Sequence, residues 1–212
     1  RIADESIDVM DIVADPLETA AAHDYAAHDR IPTPADIFQP ERVNSKGVNL
    51  ADRNVSSQLL TDLEAASRQP ITARPIIGGN EVNGKEAPSV NPSNTSEIVG
   101  ICHQVGEEHI DRAIELSVAG QRSWDRLGAE ERARILNRAG DLYEEHKDEL
   151  IGLVVREGGR TIPDAISELR EAVDFMRYYG AQAKKHFGEP IVLPGPTGER
   201  NTYSMRGKGV FI

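Results

Sequence analysis

Residues 162–187, IPDAISELREAVDFMRYYGAQAKKHF, decide the fold. Ile166, Leu169, Val173, Met176, Gly180, Ala183 and Phe187 recur close to the helical period, which predicts one long helix with an apolar stripe. Thr161 can cap its first turn with its hydroxyl. Pro163 fits just inside, because first-turn amides have no partner within the helix. The other face is dense in charge, with Glu168, Arg170, Glu171, Asp174 and Arg177. Asp174 and Arg177, three residues apart, can pair, and salt bridges on a solvated face account for such a run without any catalytic role.

Working back from this helix, three more are predicted. One spans about Glu107 to Trp124, with Ile110, Ala113, Ile114, Ser117 and Trp124 on one side and acidic residues at its positive end. The next covers about Ala129 to His146, burying Ile135, Leu136, Ala139, Leu142 and Tyr143. A shorter one centres on Leu150, Leu153 and Val154 and stops at Gly158-Gly159. Before them, Ile71–Ile77 with Gly78-Gly79-Asn80 and Glu81-Val82 reads as a strand and turn, and Glu97–Cys102 as a strand. Asn91-Pro92-Ser93-Asn94 is a turn. After the long helix, prolines 190, 194 and 196 make a loop, Asn201–Arg206 a strand, and Val210-Phe211-Ile212 the start of a buried strand with nothing left to pair with. The expectation is a piece of a larger α/β enzyme, mostly helical in this span with a few strands.

Residues 1–70 differ, with thirteen acidic and six basic side chains and prolines at 16, 32, 34, 40 and 70 that interrupt long helices. Asp15-Pro16 can open a short helix through Tyr25, and Ser56–Ser67 another with Leu59, Leu60 and Leu63 on one face. An ordered connector lying on something larger is the preferred reading, and a free linker the competing one.

A net charge of −11 speaks against a nucleic-acid surface, which needs clustered cations, and against an anionic membrane. No stretch approaches the roughly 20 apolar residues of a membrane span. Arg1–Ser6 lack an apolar signal core and the chain does not open with Met, as expected of an internal segment of a cytoplasmic protein. Cys102 is the sole cysteine, so neither an internal disulfide nor a thiolate metal cluster is expected. It precedes His103, but neighbours on a strand point to opposite faces, so the pair suits an inert buried thiol better than a nucleophile. His23, Asp24, His28 and Asp29 are poorly spaced for a metal on one helix face. Neither Gly pair sits in a phosphate-cradling motif.

Several segments together resemble the aldehyde dehydrogenase family. They are Arg74–Gly79, Val90–Ser93 with Ile98-Val99-Gly100, Ser123-Trp124, Glu131–Leu136, Arg156–Thr161 and, most specifically, Glu168–Tyr179. That last run resembles the glutamate-semialdehyde dehydrogenase branch found in proline utilisation A. Asp15-Pro16-Leu17, Arg30-Ile31-Pro32 and Pro40–Gly47 resemble that family's inter-domain connector.

The resemblance implies a division into residues 1–13, the tail of a proline dehydrogenase barrel; 14–70, the connector; and 71–212, the incomplete amino-terminal part of the aldehyde dehydrogenase domain. It further implies a parent that oxidises proline with FAD and glutamate semialdehyde with NAD, and that is a homo-oligomer, since Asn201–Arg206 resembles an oligomerisation flap. The nucleophilic Cys, the deacylating Glu and the dinucleotide pocket would lie beyond Ile212, so this chain alone is expected to be inactive and to bind no cofactor. No catalytic residue is assigned, and Cys102 does not match the family nucleophile. One residue carries over: Glu171 matches the helix carboxylate that faces the substrate amino group. Two other readings stay open, an aldehyde dehydrogenase of another specificity and a non-catalytic helical interaction module.

Overall fold

The computed structural model describes residues 6–66 and 70–211. Helices α1 (Val9–Val13) and α2 (Pro16–Ala22) open the chain. Asp8 and Asp15 cap them, accepting from the amides of Met10 at 2.9 Å and Leu17 at 2.8 Å. α2 stops short of the expected Tyr25 because Asp24 and Tyr25 adopt positive φ, which no α-helix accommodates. Neither helix buries a residue. A 3-10 turn at Pro34–Asp36 follows, and then α3 (Arg53–Ala66).

α3 buries Leu59 and Leu63, while Leu60, expected beside them, is exposed. The two leucines join Ile151, Ala165 and Ile166 in the main apolar cluster, with Val48, Val154, Val155, Ile162 and Leu169 around it. That cluster lies between α3, α6 (Lys147–Gly158) and the first turns of α7 (Ile162–Phe187). The bounds of α7 coincide with the predicted ones. Thr161 caps it, accepting from the Asp164 amide at 3.3 Å, and Gly159 ends α6 in the left-handed conformation at φ 64°.

Strands β1 (Ile71–Ala73), β4 (Lys85–Asn91) and β5 (Asn94–Gln104) form a sheet ordered β1-β5-β4, parallel on one side of β5 and antiparallel on the other. β4 is not legible in the sequence, because Pro88 argues against a strand. The structure reconciles the two by putting β4 at the sheet edge, where a missing donor is tolerated. Between them β2 (Ile76–Ile77) and β3 (Asn80–Glu81) make a hairpin whose Gly78 and Gly79 have φ of 61° and 82°. Glu97 anchors the sheet to α6, pairing with Arg156 at 2.7 Å and accepting from Asn91 at 2.9 Å.

α4 (Glu107–Arg126) and α5 (Ala129–Glu145) complete the helical part. α5 packs on α7 through small residues. Ala129, Ala133 and Gly140 are buried, and a Cβ added at Gly180 of α7 would lie 3.1 Å from Asn137 Oδ1 and 3.4 Å from the Ala133 carbonyl. This corrects the expectation for α5. Ile135, Leu142 and Tyr143 are exposed, because the face that meets α7 is the one that lets the backbones come close. α4 buries nothing, and Ile110 and Trp124 are half exposed.

The predicted loop after α7 contains a strand: β6 (Ile191–Leu193) pairs antiparallel with β7 (Asn201–Tyr203), which is shorter than the run to Arg206 read from the sequence. No strand forms at Val210 or Phe211, the latter 79% exposed, since neither pairs with a described strand; Ile212 lies outside the described residues. The tail is instead tied to α4, the Gly207 amide donating to Asp125 at 2.9 Å.

Candidate functional site

The charged face of α7 divides into two flanks. On one, the extended segment Arg42–Lys46 crosses the helix, and on the other Glu171 faces solvent with aromatic neighbours. Asp174 serves the first flank. Its carboxylate accepts from the Ser45 amide at 2.9 Å and the Ser45 hydroxyl at 2.7 Å, and pairs with Arg42 at 3.3 Å. Arg42 is also stacked on the Phe38 ring, 3.7 Å from its centroid, with Tyr178 6.0 Å away.

Arg177, 8% exposed, works toward α5. It donates to Asp141 at 2.9 Å, to both oxygens of Glu144 at 3.1 and 3.2 Å, and to the Asn44 carbonyl at 3.5 Å. Asp174 and Arg177 therefore do not pair with each other as the sequence suggested. Each is taken by a partner more than 30 residues away.

Glu144 also accepts from the Lys46 amide at 2.8 Å. Burial pushes its carboxyl up, but the hydrogen bonds from Arg177 and Lys46 outweigh burial and hold it below the usual carboxylate range. For Arg177 burial works against the charge, and Glu144 and Asp141 overcome it and raise its pKa.

Glu171 is exposed, and its carboxylate has no hydrogen bond or ion pair among the described residues. Its neighbours in charge are occupied: Glu168 pairs with Arg160 at 3.3 Å, and Asp174 is held as above. Phe175 and Tyr178, four and seven residues on, share its face of the helix. Phe175 stacks on Tyr179 with centroids 5.8 Å apart, and Tyr178 meets Tyr179 edge-on at 5.3 Å. All three rings are exposed. A bare carboxylate beside aromatic faces can receive a small cation such as an ammonium.

The remaining candidates have structural settings. Cys102 is half-buried within β5, in register with Ala73 and Ala87. His103 engages the Gly84 backbone through Nδ1 at 3.2 Å, and so is committed away from the thiol. Nδ1 of His28 accepts from the Arg30 amide at 3.1 Å. Among the described residues no His, Cys, Asp and Glu group could hold a metal, and no helix is long and apolar enough to cross a membrane. A dinucleotide cradle does not fit the Gly pairs either. Gly78-Gly79 closes a hairpin, and Gly159 lies so close to Pro92 that an added Cβ would be 2.9 Å from its ring. Sequence reasoning missed the roles of Arg42 and Ser45, whose partners on α7 stand 125 and more positions away; the only signal was the Pro40–Gly47 segment itself.

Residues 80–212 match the aldehyde dehydrogenase family. The bifunctional protein PutA of Salmonella typhimurium is 36% identical over 203 residues, 92% of this chain and 15% of that protein. The 1-pyrroline-5-carboxylate dehydrogenase of Geobacillus thermodenitrificans is 36% identical over 140 residues, 65% of this chain and 27% of that enzyme. Among solved structures, a mutant of Bradyrhizobium japonicum proline utilization A superposes with a TM-score of 0.68 at 36% identity, over 98% of this chain and 18% of that one. The chain thus spans less than a third of the length of each of these relatives.

Proposed function

This chain belongs to the aldehyde dehydrogenase family, and from that premise we propose that it is part of a bifunctional proline-catabolic enzyme that oxidises L-glutamate γ-semialdehyde to glutamate. The parent would use NAD as the oxidant of the aldehyde, and FAD as the oxidant of proline in a separate domain. Residues 1–13 close that proline dehydrogenase domain, 14–70 connect, and 71–212 begin the aldehyde dehydrogenase domain. The supporting contrast is one of coverage. Likeness to the bifunctional PutA runs over 203 residues and so takes in the Arg42–Lys46 segment, whereas likeness to the monofunctional enzyme is limited to 140.

The observation that carries the substrate reading is the unpartnered carboxylate of Glu171. Glutamate semialdehyde bears an ammonium that most aldehydes lack. Glu171 is its counter-charge, orienting the substrate without transferring a proton, and Phe175 and Tyr178 border the same face. Cys102 is a structural thiol, and no step of the oxidation is assigned to residues of this chain. NAD and FAD belong to the parent, which is cytoplasmic and a homo-oligomer.

In the intact enzyme, Glu171→Gln raises KM for glutamate semialdehyde about tenfold, the scale of one charge-assisted hydrogen bond. An aldehyde of equal length without the α-amino group is oxidised as before. Equal KM values for wild type and variant would overturn the reading. The 212-residue chain by itself forms no NADH from glutamate semialdehyde; sustained turnover by it would contradict the assignment of the chemistry to other parts of the parent.

A further inference from the structure

The segment Arg42–Lys46 reaches α7 by polar contacts rather than by apolar burial. Asn44 and Ser45 are 7% and 3% exposed, yet their close neighbours are Asp174, Arg170, Arg177 and the Pro34 carbonyl. Desolvating that many polar groups yields little net stability compared with an apolar contact, but it fixes geometry closely. What it fixes is the rotation of α7 about its own axis. Asp174 is held from the segment by Ser45 and Arg42, and Arg177 is held from α5 by Asp141 and Glu144. Glu144 in turn accepts from the Lys46 amide at 2.8 Å, so the segment is bonded to both helices.

Glu171 has no partner of its own among the described residues, so its carboxylate goes where the helix carries it. It lies three residues before Asp174, and Tyr178, on its own face, has the Arg42 guanidinium 6.0 Å from its ring centre, the same guanidinium that stacks on Phe38. A side-chain tip about 6 Å from the helix axis moves about 1 Å for a 10° rotation. Errors of that size in substrate placement are costly to turnover.

We propose that Arg42–Lys46 is a latch that sets the position of Glu171, making Arg42, Ser45 and Asp174 positioning residues for the substrate's ammonium group. The inference rests on the substrate reading of Glu171 given above, and extends it to the inter-domain connector. The connector is then part of the specificity of the aldehyde site as well as a tether.

The test uses the intact enzyme with Ser45→Ala, Asp174→Asn and the double variant, assayed with glutamate semialdehyde, with the amine-free aldehyde and with varied NAD. The latch requires KM for glutamate semialdehyde to rise about tenfold in each single variant, on the scale of a lost charge-assisted bond. KM for NAD and turnover of the amine-free aldehyde stay at wild-type values, and the double variant is no worse than Asp174→Asn alone. Hydrogen exchange provides a second readout independent of activity. The Ser45 amide loses protection in Asp174→Asn and keeps it in Glu171→Gln. An unchanged KM in both single variants overturns the latch, as does an equal loss with both aldehydes, which marks a general structural role. Glu171→Gln separates the two ideas. If it raises KM and Ser45→Ala does not, the latch falls and the substrate reading stands; if it changes nothing, the substrate reading falls and the latch with it.

Discussion

Helices α4 and α7 are the two longest in the chain, and both read from the sequence as one-sided helices with a clear apolar stripe. Their fates differ. α7 buries Ala165, Ile166, Val173, Arg177 and Gly180, while α4 buries no residue and leaves Ile110, Val118 and Trp124 open to solvent. The difference does not lie in periodicity. It lies in what each helix meets: α7 is met by α5, α6 and the Arg42–Lys46 segment, and α4 by a two-residue strand and the tail. An apolar stripe states a demand for a partner, and only the tertiary arrangement supplies one.

The contrast is broken most directly at Arg177. Replacing it with Met leaves Glu144 and Asp141 facing each other without their cation, and the midpoint of urea unfolding should fall by the equivalent of about 3–5 kcal/mol. A loss no larger than that of a surface substitution would mean that the α5–α7 contact is apolar in its energetics. Gly180→Ala probes the same interface through shape. The added methyl meets Asn137 Oδ1 at 3.1 Å, so unfolding free energy should drop by about 1–3 kcal/mol as the helices are pushed apart. Ile110→Ser on α4 sharpens the other side of the comparison. With half its surface already in water, it should change stability by less than about 0.5 kcal/mol, and a larger loss would show that α4 is covered in solution.

How far the sequence speaks follows the same division. The long helix was legible to its end residues because Thr161, Pro163 and an unbroken stripe all act within a turn of where they stand. Strand β4 was not, since Pro88 carries a local argument against strands that only its edge position cancels. Nor was the burial of α5. Its large side chains carry the pattern, but Ala133 and Gly140 carry the contact, and small residues give almost no periodic signal. At the candidate site, Glu171 was reached by resemblance, and the structure adds that it is exposed and unpartnered. Asp174 and Arg177 looked like a local pair, because spacing on one helix is all that a sequence displays. Their actual partners, Ser45 and Asp141, are set by how distant segments cross. The apolar tail at Val210 failed as a strand prediction for the complementary reason, that a strand is a property of two segments and neither Val210 nor Phe211 pairs with a described one.

The bond between Ser45 and Asp174 also imposes an order in time. The two residues are 129 positions apart, so at a synthesis rate of roughly 5–20 residues per second Ser45 is joined to the nascent chain roughly 6–26 s before Asp174, whose carboxylate will hold it. Ser45 spends that interval without its carboxylate, whereas Asn44 has the Pro34 carbonyl ten positions away. Until α7 is made, the Arg42–Lys46 segment lacks the partners that Asp174 and Arg177 supply, and its seat on the helix is fixed last.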